Sequence, residues 1–207
     1  MRDFAIAMNK LKAPAFIHGG TLLGLVRECT TFGDDVDFAL PAKWYQANYD
    51  KISAELKRSG FRFKWYFPGA KRSPPTPSVR KTEGFETSWI KYNIKVDLFG
   101  ATVHNDQYIF GLWTPKSKFN KCYINFNGNF KSFTWHGVPV KVPVPFDTVL
   151  KSLYGKKYMI PAKQWRWNVE PFTIGSCKKS HLRRSERRER FLYMLELTLH
   201  RKKFRRY

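Results

Sequence analysis

Three acidic residues stand within four consecutive positions of this chain, namely Asp34, Asp35 and Asp37. Val36 lies between two of them, and the apolar residues Phe38, Ala39 and Leu40 follow directly. Such a cluster is unusual in a chain that has only 16 acidic residues against 38 basic ones. A carboxylate beside buried apolar side chains is costly unless a positive charge compensates it. The fold must therefore bury a strand next to an acidic site, and metal ions are candidates for the compensating charge.

The stretch 35–40 predicts a β-strand. Asp35 and Asp37 are two positions apart, so their side chains point to the same face of a sheet, while Val36 and Phe38 point to the other face and into a core. Two carboxylates on one face repel each other unless a divalent cation lies between them. We therefore expect a third carboxylate on a neighbouring strand.

Asp97 is the best candidate for that third carboxylate, because residues 94–100 surround it with the same apolar context. Three such aspartates can hold Mg²⁺ or Mn²⁺ and leave coordination positions open for phosphate oxygens. We expect Asp34 to cap the strand or to support the site without touching the metal.

A possible phosphate-binding turn precedes the strand. Gly19 and Gly20 allow a close backbone approach, Thr21 can cap the following helix and offer a hydroxyl, and the helix N-terminus would face a phosphate. Arg27 follows about two turns later and could neutralise phosphate charge with its planar guanidinium. The alternative for Arg27 is a surface ion pair with Glu28 or Asp34.

The hydrophobic periodicity predicts an α+β fold with a mixed sheet. Helices are expected over 3–13, 21–26, 45–56 and 146–154, and strands over 15–18, 35–40, 61–67, 89–92, 94–99, 108–113, 122–126, 130–135 and 138–142. We expect one domain over residues 1–170 and a basic, partly helical tail over 171–207. From Lys178 onward that tail carries 12 basic and 3 acidic residues.

The net charge of +22 favours anionic partners such as phosphate-rich molecules, nucleic acid or a membrane surface. Cys29, Cys122 and Cys177 form no CxxC pair, which argues against a structural zinc site and leaves one disulfide plus one free thiol possible. No apolar run approaches the roughly 18–20 residues that span a membrane.

The chain has, in this order, a Gly-Gly pair, a helix, an Asp-x-Asp strand and an aspartate on a later strand. This combination is typical of nucleotidyltransferase active sites. Residues 19–24 (GGTLLG), 27–29 (REC) and 35–38 (DVDF), with Asp97 in VDLF, resemble the LicD/fukutin family, and most closely its fukutin members. The segments 140–145, 154–156 and 161–167 also resemble it, so the resemblance covers about residues 1–168.

The resemblance implies a nucleotidyltransferase-like mixed sheet flanked by helices. It implies metal-dependent transfer of a phosphate-linked group, ribitol 5-phosphate or phosphocholine in kind, from a CDP-activated donor to a glycan or glycoprotein in the Golgi or secretory-pathway lumen. The implied catalytic and metal-binding residues, with Mg²⁺ or Mn²⁺ as cofactor, are Asp35, Asp37 and Asp97. The implied substrate-binding residues are Gly19, Gly20, Thr21 and Arg27.

Two other functions remain open. A template-independent RNA nucleotidyltransferase would share the catalytic core, but such enzymes usually have Gly-Ser where this chain has Gly-Gly-Thr, and no RNA-binding module is evident. A catalytically silent protein could use the same fold and its basic surface to bind an anionic glycan or membrane. The three aspartates argue against that last alternative.

Overall fold

A mixed β-sheet forms the centre of the computed structural model, which describes residues 1–31, 35–67, 75–80, 85–104, 107–113, 119–126, 128–161 and 177–179. The helices are α1 (Arg2–Lys10), α2 (Gly19–Glu28), α3 (Ala42–Arg58), α4 (Pro77–Arg80) and α5 (Phe146–Tyr154). The strands are β1 (Phe16–Ile17), β2 (Asp35–Pro41), β3 (Arg62–Phe67), β4 (Glu86–Lys91), β5 (Ile94–His104), β6 (Gln107–Trp113), β7 (Phe119–Asn125), β8 (Asn129–Trp135), β9 (Val138–Val144) and β10 (Cys177–Lys179).

The long strand β5 organises the sheet. Strands follow each other in the order β10-β7-β6-β5-β2-β1-β9-β8, and β4 branches from β5 and carries β3. The β2–β5 and β1–β9 pairs are parallel, and the other pairs are antiparallel. The expected α+β class with a mixed sheet flanked by helices is therefore confirmed.

Helices α1 and α3 cover the apolar face of the central strands. On α1, the ring of Phe4 lies 4.7 Å from that of Phe38 on β2, measured between centroids. Helix α3 buries residues at helical spacing along one side, as its amphipathic pattern predicts. These residues are Tyr45, Tyr49, Ile52 and Leu56.

Among the boundaries that differ from the sequence prediction, two bear on the site. Helix α2 begins at Gly19 with His18 as its N-cap, so the expectation that Thr21 caps the helix is wrong. Gly19 has a φ of +55°, which a glycine adopts without steric cost, and this lets the chain turn directly from β1 into the helix. Strand β4 begins at Glu86 instead of Trp89, because its first three residues are polar yet buried.

The basic tail is described only at β10. There Cys177–Lys179 pairs as a strand with β7, with Cys177 opposite Cys122, and the expected partly helical character of the tail stays a prediction. The rest of 171–207 and residues 32–34, which include Asp34, lie outside the described residues, and the division at residue 170 stays a prediction.

The cysteines follow the expected pattern of one disulfide and one free thiol. Cys122 is disulfide-bonded, and Cys29 is free and exposed. Within the described part of the chain, no helix has the length and apolar character needed to cross a membrane.

A substitution at Thr87 tests the packing between α3 and β4. Its buried hydroxyl oxygen lies 2.5 Å from the Tyr45 hydroxyl and accepts a hydrogen bond from Trp89 Nε1 at 2.9 Å. Thr87→Val keeps the shape but leaves two buried polar groups unsatisfied, so we expect the free energy of unfolding to fall by roughly 1–3 kcal/mol. Urea denaturation measures this, with Thr134→Val on exposed β8 as the control. Equal stability of both variants would contradict the prediction.

Candidate active site

The parallel pairing of β2 with β5 brings the predicted aspartates together. In this register Asp37 lies opposite Asp97, and Asp35 lies opposite Lys95. Alternation along each strand then puts the three carboxylates and the lysine on one face of the sheet. Val36 is buried on the other face, as expected. We call Asp35, Asp37 and Asp97 the acidic cluster.

The first turn of α2 and its N-cap His18 hold Asp37 in place. The backbone N–H of Gly20 donates to Asp37 Oδ2 at 3.0 Å, and the N–H of Asp37 donates to Thr21 Oγ1 at 2.7 Å. The N–H of His18 donates to the Asp37 carbonyl at 3.0 Å. The positive end of the helix therefore faces a protein carboxylate, which it stabilises.

The Gly-Gly-Thr segment thus positions Asp37, a role that the sequence did not indicate. Thr21 is buried, with 1% of its surface exposed, and its hydroxyl oxygen faces the Asp37 backbone. A Cβ on Gly19 would lie 2.7 Å from Asp37 Oδ2, so only glycine lets the carboxylate come this close. Substrate binding by Gly19, Gly20 and Thr21 stays a prediction.

Lys95 is one residue of this site that sequence reasoning missed. Its Nζ lies 2.9 Å from Asp35 Oδ2 and 2.7 Å from Asp97 Oδ2, so one ammonium bridges two of the three carboxylates. The signal was present, since Lys95 and Asp97 are two positions apart on one strand and must share a face. A search for acidic residues alone passes over it.

Burial is the main cause that raises the pKa of Asp37 to about 8. The negative charges of the nearby Asp97 and Asp35 carboxylates raise it further. Burial also raises the pKa of Asp97, against the opposing effect of Lys95. For Lys95, partial burial disfavours the ammonium, but the two aspartates together outweigh it and raise its pKa above the ordinary value.

A fourth carboxylate, Glu86, lies at the start of β4 on the same face. It is 6% exposed, and burial followed by the charge of Asp97 raises its pKa well above the ordinary value. The predicted strand began three residues too late to include it. The sheet therefore gathers four carboxyl groups near one lysine, and the raised pKa values of Asp37 and Glu86 favour their protonated, neutral forms.

Arg27 forms an ion pair with Glu28, one of the two partners expected for it as the alternative to phosphate binding. Its guanidinium pairs with Glu28 at 3.0 Å and its Nη1 donates to the Tyr158 carbonyl at 3.4 Å. Its role toward a phosphate remains a prediction.

Tyr154 at the end of α5 also borders the site. Burial raises the pKa of its hydroxyl, and the charges of Asp37 and Asp35 raise it further.

The donor chemistry of the acidic cluster fits a divalent cation. Carboxylate oxygens are the ligands that Mg²⁺ and Mn²⁺ prefer. Asp97 Oδ1 is buried without a hydrogen-bond partner, and such an atom is costly unless something binds it. Within the described ranges no three acidic, histidine or cysteine side chains already form a metal-binding group. The Lys95 ammonium lies between Asp35 and Asp97.

Comparison with known proteins gives distant relatives. No protein-family profile matches the chain. It is 28% identical over 174 residues to "Ribitol-5-phosphate transferase FKTN" of Macaca fascicularis and to the Homo sapiens protein of the same name, and 27% identical over 175 residues to that of Mus musculus. These matches cover 81% of this chain and 34% of each relative, so the chain spans about a third of their length.

Among solved structures, one similar chain is described as the solution structure of the antibiotic-resistance factor ANT(2'')-Ia. It is 13% identical with a TM-score of 0.45, and the match covers 100% of this chain and 95% of that one.

The pKa of Asp37 predicts a pH dependence of stability. Folding raises this pKa from 3.8 to about 8, so between these pH values the folded state keeps a proton that the unfolded state has lost. The contribution of Asp37 to stability is therefore highest below about pH 4 and falls as pH rises to about 8, by up to about 1.4 kcal/mol per pH unit.

Asp37→Asn removes this titration, so we expect its stability to fall less steeply than that of the wild type over the same range. Urea denaturation with a metal chelator, at several pH values between about 5 and 8, measures the two slopes. Identical slopes would show that Asp37 titrates normally.

Gly19→Ala tests the close approach of the helix to Asp37. The positive φ and the 2.7 Å contact are both unfavourable for alanine, so we expect a loss of roughly 1–3 kcal/mol in the free energy of unfolding. Gly20→Ala is the matched control, because its Cβ would lie 3.4 Å from the same oxygen. Thermal or urea unfolding of both variants measures the difference, and an equal loss in the two would count against this explanation.

Proposed function

We propose that this chain is a metal-dependent transferase that moves a phosphate-linked group, ribitol 5-phosphate or phosphocholine in kind, from a CDP-activated donor to a glycan or glycoprotein. The observation that carries the proposal is the acidic cluster itself, in which Asp37 and Asp97 lie opposite each other on parallel strands with Asp35 on the same face. The similarity to ribitol-5-phosphate transferases supports it and favours ribitol 5-phosphate.

In this proposal Asp35, Asp37 and Asp97 would hold Mg²⁺ or Mn²⁺, which neutralises donor phosphate charge and lowers the pKa of an attacking hydroxyl. Gly20 keeps the Asp37 carboxylate oriented through its N–H. The side chain of Asp35 is 47% exposed, so it is the carboxylate that an incoming glycan reaches first.

Asp35 accepts the proton of the glycan hydroxyl as its oxygen attacks the phosphorus that carries the transferred group. The bond between that phosphorus and the bridging oxygen of the diphosphate breaks, and CMP leaves with the bridging oxygen. One phosphate ester to the glycan forms for each diphosphate bond broken.

Two general features are consistent with the proposal. A net charge of +22 attracts an anionic donor. The disulfide at Cys122 fits an oxidising compartment such as the secretory-pathway lumen, including the Golgi, where the family resemblance also points. Contact of the basic tail with an anionic membrane surface is a further part of the proposal.

Titration calorimetry tests the donor and the metal together. The wild type and Asp37→Asn are titrated with CDP-ribitol, CDP-choline and CTP, with and without Mn²⁺. We expect Mn²⁺-dependent binding of one CDP compound and at least about a tenfold loss in Asp37→Asn, because an amide cannot replace the carboxylate as a ligand. Asp50→Asn on the exposed side of α3 is the matched control and should bind like the wild type.

Other results of this titration would support a different function for the protein or a different set of site residues. Binding of CTP alone, together with extension of an RNA primer, would support the RNA nucleotidyltransferase. Binding of no nucleotide by a folded protein would support the catalytically silent one. Undiminished binding or transfer by Asp37→Asn would remove Asp37 from the site.

A further inference from the structure

The ammonium of Lys95 lies where a divalent cation would otherwise balance the acidic cluster. It contacts Asp97 Oδ2 at 2.7 Å and Asp35 Oδ2 at 2.9 Å, and both contacts are ordinary for a charge-assisted hydrogen bond. A metal ion cannot bind these same two oxygens while the ammonium remains between them. The lysine and a metal therefore compete for the same part of the cluster.

The Lys95 ammonium pairs with two oxygens of the cluster and acts on Asp37 through longer-range attraction, which lowers the pKa of Asp37 without offsetting its burial. Asp37 Oδ2 accepts a hydrogen bond from the neutral Gly20 N–H, and Asp97 Oδ1 is buried with no hydrogen-bond partner. The residue Asp97 is 5% exposed, so water does not readily compensate that atom. Among the described residues, the Asp37 carboxyl group and Asp97 Oδ1 thus remain without a cationic group in contact.

We propose that Lys95 is a positioning residue that acts as an internal counter-ion: it holds Asp35 and Asp97 in place and weakens divalent-cation binding by occupying their Oδ2 atoms. This inference rests on the proposed function, because it concerns the metal that the proposed reaction uses. It assigns Asp37 and Asp97 Oδ1 as the ligands that stay available to a cation while Lys95 occupies the Oδ2 atoms.

The chemistry of lysine suits this role. Its compact charge sits on a flexible four-carbon stem, so the ammonium can pair with two carboxylates and can also withdraw from them. The Lys95 side chain is 26% exposed, which leaves a path toward solvent. When a cation binds, the Lys95 charge is then free to contact the anionic donor, which arrives at the same face.

Mn²⁺ affinity is the direct test, measured by calorimetry and by the electron paramagnetic resonance signal of free Mn²⁺, without any nucleotide. Lys95→Met and Lys95→Gln remove the charge, so we expect Mn²⁺ to bind about tenfold more tightly or better than to the wild type. Lys95→Arg keeps the charge and should bind Mn²⁺ like the wild type. Lys64→Met on exposed β3 is the matched control for removing one positive charge from the protein.

The melting temperature provides a second test of the role of Lys95, in addition to the Mn²⁺ affinity. Without metal, the neutral variants should melt at a lower temperature than the wild type, because Asp35 and Asp97 then lose their counter-ion. Added Mn²⁺ should raise their melting temperature by more than it raises that of the wild type. If Lys95→Met does not fold without metal, refolding in Mn²⁺ gives the same comparison, and Lys95→Gln repeats it with a polar side chain.

Unchanged or weaker Mn²⁺ binding in both neutral variants would overturn the inference, since a purely structural lysine predicts that result. Absence of Mn²⁺ binding in every variant would overturn it too, together with the metal dependence of the proposed function. Tighter Mn²⁺ binding in the neutral variants, with no CDP compound bound by the wild type, would instead support the role of Lys95 and reject the proposed donor.

Discussion

The repulsion between carboxylates on β2 and β5 is the constraint on which the site depends. The parallel register puts Asp37 opposite Asp97, and burial makes this proximity more costly. The structure compensates with two groups of its own, the Lys95 ammonium and the Gly20 N–H. These two groups cannot pair with every carboxyl group of the site, because Glu86 adds a fourth from β4, where burial raises its pKa. A site that remains acidic after internal compensation is suited to binding a cation and, through it, a phosphate.

The sheet separates this polar chemistry from the hydrophobic core. On one face of β2, Val36 and Phe38 pack under α1 and α3, and on the other face α2 and α5 border the acidic cluster. Burial of the apolar face fixes the strand register, since a shift by one residue would turn the aspartates into the core. The geometry of the site is therefore maintained by the hydrophobic effect on the opposite side of the same strands.

The proposed transferase function combines two independent kinds of support. One is the chemistry of the acidic cluster, which the contacts of this chain show directly. The other is a 28% identity to ribitol-5-phosphate transferases across 81% of the chain. Because the chain corresponds to about a third of those relatives, its donor and acceptor have to be established on this protein itself.

The sequence alone determined the α+β class, the shared face of Asp35 and Asp37, and Asp97 as their neighbour, because a period of two and apolar flanks are local properties of a strand. The shared face of Lys95 and Asp97 follows from their spacing of two, but the contact of Lys95 with Asp35 was decided by the parallel β2–β5 register, which pairs residues about 60 positions apart. The start of β4 at Glu86 was hidden in the same way. Its first residues are polar and become buried only when β3 and β5 pair with them, and tertiary contacts alone supply that burial.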